Sequence, residues 1–89
     1  MSRYAIAYTP RAKRQLKAVR DRHVAHALRA AIEALAQDPR PPGVKKLRGQ
    51  HEQWRVREGD WRIVYVIEDN RLVVLVVAVA KRDEVYRQG

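Results

Sequence analysis

Apolar and polar positions follow two different periods along this chain, and each change of period marks a change of element. Residues 3–8 are a short alternation rich in aromatic and β-branched side chains, which predicts a strand. Thr9-Pro10 ends it with an N-cap residue followed by the residue favoured at the first helical position. Over 11–20, Ala12, Leu16 and Val19 recur at i, i+4 and i+7, while Arg11, Lys13, Arg14, Lys17 and Arg20 cover the rest. That spacing predicts an amphipathic helix with a basic outer face. Asp21 can cap a second helix, whose stripe is Val24, Ala27, Leu28, Ala31, Ile32 and Leu35, and Asp38-Pro39 closes it. Arg40-Pro41-Pro42-Gly43 is a stiff connector, and the cationic stretch 44–49, with no period of its own, reads as a surface loop.

The period then shortens to two. Trp54 and Val56 alternate with Gln53, Arg55 and Arg57, Glu58-Gly59-Asp60 interrupts, and 61–67 resumes the alternation as the second arm of a hairpin. Glu68-Asp69-Asn70-Arg71 supplies another tight turn, with Asn70 able to take a positive φ, before the apolar run 72–80. The order is β-α-α-β-β-β. The helical stripe must bury itself on one sheet face, so the expected architecture is a two-layer α+β domain spanning 1–89: an antiparallel sheet with both N-terminal helices on one side. The other sheet face is left to bind.

Composition narrows the classes of function. Nineteen Lys and Arg against ten acidic residues give a net charge of +9, yet 46% of the residues are hydrophobic, which is enough to fold. The absence of cysteine removes disulfide scaffolds, thiolate zinc sites and cysteine nucleophiles, and fits a reducing cytoplasm. The run 72–80 falls well short of the roughly 20 residues of a membrane helix, and no export signal opens the chain. Arginines number 14 and lysines 5. A planar fork that bonds phosphate bidentately and stacks on bases suits nucleic acid better than a point charge. Residues 1–40 hold 9 basic and 3 acidic groups and residues 41–89 hold 10 and 7, so the helical half carries the larger excess.

Period two sets Arg55 and Arg57 side by side, away from Trp54 and Val56, and sets Arg62 with Val64 and Val66. Lys81 and Arg82 follow at the end of the last strand, so cations from three segments are expected to converge. Lys45, Lys46 and Arg48 read as further nucleic-acid contacts. His23 and His26 lie off the apolar stripe of their helix as ordinary surface residues. His51, just before the arginine strand, has a side chain suited to acid–base work, though a plain loop histidine is the simpler reading. Trp54 and Trp61 read as core anchors. Asp60, Asp69 and Asp83 have no metal-ligand spacing, and neither metal nor cofactor is expected.

Tyr8-Thr9-Pro10-Arg11-Ala12, Leu47-Arg48-Gly49, Trp54-Arg55-Val56-Arg57, Glu58-Gly59-Asp60-Trp61-Arg62-Ile63-Val64-Tyr65 and Lys81-Arg82-Asp83-Glu84-Val85-Tyr86 occur in that order. Together they resemble the RelE branch of the RelE/ParE toxins over essentially the whole chain. The resemblance implies a type II toxin that cleaves messenger RNA in the ribosomal A site by attack of the 2′-hydroxyl, without a metal. It implies hetero-oligomerisation with a cognate antitoxin, with the ribosome and mRNA as targets and no membrane. It also implies roles for Arg62 and Arg82 on the scissile phosphate and for Tyr86 on the 2′-hydroxyl. Arg55 and Arg57 stand where the best-known members have lysines; arginine clamps phosphate but effectively never gives up its proton. The ParE branch offers a second reading, inhibition of DNA gyrase by binding. A basic ribosome-binding module without activity is a third.

Overall fold

The structure, a computed structural model, describes residues 3–47 and 53–81. Thr9 and Asp21 start the two helices as expected. Thr9 Oγ1 accepts the Ala12 N–H at 3.1 Å with Pro10 in the first turn, and Asp21 Oδ1 accepts from His23 and Val24 at 2.9 and 3.3 Å. The helices are α1 (Pro10–Lys17) and α2 (Arg22–Ala34), each shorter at its end than the apolar stripe predicts. The last turns tighten to i+3 bonds, Val19 N–H to Leu16 O and Leu35 N–H to Ile32 O, so Val19 and Leu35 stay on the stripe without belonging to the helix.

Among the described residues five strands make one sheet: β1 (Ala5–Tyr8), β2 (Lys45–Leu47), β3 (Gln53–Glu58), β4 (Trp61–Glu68) and β5 (Val73–Lys81), in the order β1-β5-β4-β3-β2. The two-layer α+β expectation holds, with two amendments. β1 pairs with β5 in parallel, Ala5 opposite Val73 and Tyr8 opposite Val76, so the sheet is mixed and not antiparallel throughout. Residues 45–47, expected as surface loop, form an edge strand, because Lys45 and Leu47 pair with Arg55 and Gln53 on the open side of β3. Lysine is a common edge residue, since its charge discourages further pairing.

One face of this sheet carries the core. Ala12, Leu16, Leu28, Ile32 and Leu35 from the helical layer pack on Ile63, Tyr65, Val74, Val76 and Val79, all essentially out of solvent. Each large aliphatic buried there stabilises the fold by about 1.5–3 kcal/mol. Trp54 and Trp61 pack half-buried against the same cluster, as expected of core anchors. Gly59 (φ +58) is the first of two residues joining β3 to β4, where a tight hairpin requires a positive φ. In the β4–β5 turn the positive φ falls on Leu72 (φ +53), not Asn70. Bonds from Arg71 N–H to Glu68 O and Leu72 N–H to Asp69 O wind the turn right-handed, so the return comes at its last residue.

Among the described residues Tyr65 is the one phenol sealed in the core; its hydroxyl donates to the Pro39 carbonyl at 2.6 Å and so ties the connector after α2 to the sheet. Burial, with a smaller contribution from Asp38, pushes this phenol up to about 12 against an offsetting Arg40. Because the folded value lies above the unfolded value of about 10, the stability it confers is complete below pH 10. It is lost as pH rises from about 10 to about 12. Tyr65→Phe strands a buried carbonyl, so denaturant melts at pH 7 should show a loss of about 1–3 kcal/mol. The variant should also lose the alkaline transition that belongs to Tyr65.

Candidate phosphate-binding face

The face of the sheet turned away from the helices carries the cations. β3–β4 register puts Arg57 directly opposite Arg62 and Arg55 opposite Val64, and β2–β3 register puts Lys45 opposite Arg55. Ile63 and Tyr65 point into the core, so period two sends Arg62 the other way, and pairing partners share its face. Two rungs of the ladder therefore hold directly opposed cations, Lys45 with Arg55 and Arg57 with Arg62. Like charges so placed destabilise a sheet, and an anion lying across both rungs would relieve the repulsion.

Arg62 is the most unusual member. It is 4% exposed, the sole buried charged side chain among the described residues. Its Nη1 donates to the Trp61 carbonyl at 3.4 Å and its Nε has no hydrogen-bond partner. Ala80 stands opposite it on β5. Arg55 is half-buried, while Arg57 and Lys45 are exposed. The arrangement is a buried guanidinium with an unpartnered Nε, flanked by more exposed cations. Chemically it can hold a phosphodiester and stabilise charge that develops on it.

Two expected members face the other way. Lys46 pairs with Trp54, its Nζ 5.9 Å from that ring, and Lys81 pairs with Trp61, its Nζ 6.0 Å from that ring. Both lie on the helix side, apart from the arginines. Arg48, His51, Arg82 and Tyr86 lie outside the described residues. His23 and His26 are exposed on α2, and among the described residues no three His, Asp or Glu side chains gather as a metal-binding group. A groove of about 560 Å³ runs beside Val19, Val24, Ala27, Trp61 and Lys81, on the helix side and thus distinct from the cationic face.

One cluster had no sequence signal beyond its charges. Asp69 accepts from Tyr4 at 2.7 Å and from Arg40 at 2.9 Å, and Arg40 lies 5.1 Å from the Trp54 ring. The Arg40 hydrogen bond, then that of Tyr4, holds the Asp69 carboxyl below its usual range. Asp69 raises Tyr4 and Arg40 in return. The cluster is solvent-exposed and fastens the connector to the β4–β5 turn; an ion pair of this kind stabilises little by itself.

A family model described as the ParE toxin of type II toxin–antitoxin systems matches residues 6–86. The chain belongs to this family, within the RelE/ParE superfamily of toxins. Among solved structures it is similar to the RelBE2 toxin–antitoxin complex of Mycobacterium tuberculosis, with 27% identity, TM-score 0.74, and 90% of this chain and 99% of that one covered. The isolated RelE toxin of E. coli is similar at 27% identity and TM-score 0.76, covering 96% of this chain and 93% of that one. The intact E. coli RelBE complex is similar at 25% identity and TM-score 0.76, covering 88% and 95%. No curated protein sequence matches significantly. No helix of the described residues is long and apolar enough to cross a membrane.

Proposed function

We propose that this toxin is a ribosome-dependent endoribonuclease that cleaves messenger RNA in the A site without a metal. The observation that carries the reading is the pair of opposed-cation rungs around Arg62, whose buried and unpartnered Nε suits a phosphate oxygen. Arg62 and Arg82 hold the scissile phosphate, Lys45, Arg55 and Arg57 bind its neighbours, and Tyr86 as phenolate takes the 2′-hydroxyl proton. The 2′-oxygen then bonds to phosphorus as the bond to the 5′-oxygen breaks, and that oxygen takes a proton from water. Attack within one nucleotide needs chiefly positioning and charge stabilisation. The partner that silences the toxin is an acidic antitoxin covering the arginine face or displacing residues 81–89; RelE relatives are found in complexes with RelB.

The ParE description of the matching family favours a second reading, inhibition of gyrase by binding alone. Primer extension on a translated message separates the two. The ribonuclease reading expects cuts in frame with codons and little or no cutting of naked RNA. Stalled gyrase with undiminished translation would move the assignment to the other branch.

A further inference from the structure

β5 carries one more residue than the strand beside it, and that residue decides what each face of the sheet contains. Tyr65 pairs with Val76 and Val64 with Ala78, so Val77 has no counterpart on β4. Beyond this bulge Val79 pairs with Ile63 in the core, Ala80 with Arg62, and Lys81 with Trp61. Uninterrupted pairing from Val76 would instead set Ala78 against Ile63, Val79 against Arg62 and Ala80 against Trp61. A one-residue slip exchanges the faces of a strand. Val79 would leave the core, and a β-branched side chain would replace the alanine beside the buried guanidinium.

A bulge disrupts the ladder locally, and α1 supplies the missing partners. Gln15 reaches from α1 to the sheet, and its Oε1 accepts the Val79 N–H at 2.8 Å. Thr9 Oγ1, which also caps α1, donates to the Val77 carbonyl at 3.3 Å. Val79 is 1% exposed, so its N–H has no water to turn to.

We propose that Gln15 is a positioning residue: by accepting the Val79 N–H it holds the β5 bulge, and thereby keeps Ala80 beside Arg62 and Lys81 on the tryptophan side of the sheet. The effect on catalysis rests on the ribonuclease reading above, whereas the effect on register does not. Gln15→Leu keeps the volume and removes the acceptor. Gln15→Glu keeps an oxygen at the same reach. Deleting Val77 takes away the extra residue, so that 78–81 keep their faces with no bulge to hold.

The test combines NMR and kinetics on the full chain. Wild type and Gln15→Glu should show Lys81–Trp61 side-chain NOEs and a slowly exchanging Val79 amide. Gln15→Leu should lose both, and its kcat for ribosomal cleavage should fall about 100-fold with KM little changed, the scale of a 1 Å misplacement. Deleting Val77 in the Gln15→Leu background should restore the NOEs and kcat. A Gln15→Leu protein with wild-type NOEs and kcat overturns the proposal, as does failure of the deletion to restore them. If Gln15→Leu does not fold, the double variant decides: a folded, active double variant supports the proposal and an unfolded one overturns it. A wild-type chain that leaves translated RNA uncut defeats the ribonuclease reading alone, and the NOE and exchange comparisons still decide the register claim.

Discussion

Arg62→Ala should lower cleavage of a translated message by about 10²–10³-fold, the loss typical of a deleted oxyanion-type donor. It should do so without the destabilisation expected of a mutated buried residue. The Arg62 side chain is 4% exposed, it stands opposite Arg57, and its Nε has no hydrogen-bond partner. Folding therefore buries a charge without a matching gain, and removing a badly compensated charge is often neutral or stabilising. Arg62→Met, which fills the same space, isolates the point from cavity effects. Urea midpoints at or above wild type, together with lost cleavage and lost growth arrest, are expected for both variants. A lower midpoint with unimpaired cleavage would make Arg62 a structural residue and leave the phosphate without its central ligand.

The expectations that came through the structure intact rest on local rules. Thr9 and Asp21 cap helices because a short side-chain oxygen beside free N–H groups has the same geometry in any fold. The β3–β4 hairpin follows from alternation and Gly59, and it fixes Arg57 against Arg62 through a two-residue turn. Features that depend on distant partners were not legible. Nothing in residues 3–8 says that β1 pairs with β5 in parallel, since a strand's period is the same in either sense. Lys45–Leu47 becomes a strand because β3 offers a free edge, a tertiary effect that overrides weak local preference.

The site shows the same division. Arg55, Arg57 and Arg62 share a face because they lie on one hairpin, where the period settles the matter. Lys46 fails to join them because it sits one position out of phase with Lys45 on a strand that the sequence did not disclose. Lys81 fails for a different reason: without a bulge the alternation of β5 would carry it to the arginine side, and Val77 reverses that phase. A single inserted residue is invisible in an apolar run such as Val73–Lys81, where both faces are hydrophobic. Its trace lies on another element, in a glutamine among the basic residues of α1.

The second large effect is expected at Tyr86. Tyr86→Phe keeps the ring and removes the hydroxyl, so RNA affinity and antitoxin affinity should stay near wild type while kcat falls about 10²–10⁴-fold, the range for a lost general acid or base. A phenol has an ordinary pKa of about 10 and is a poor base at neutral pH. On the ribonuclease reading the phenolate is the base, so wild-type kcat should rise with pH, whereas the residual rate of the phenylalanine variant should lack that rise. The same substitution separates the two readings of the family. Inhibition of gyrase by binding needs no proton acceptor, and a Tyr86→Phe toxin that still arrests growth at equal expression, with gyrase stalled, would belong to that branch. If it instead remains fully active on translated RNA, the base lies elsewhere, and His51 is the next residue to replace.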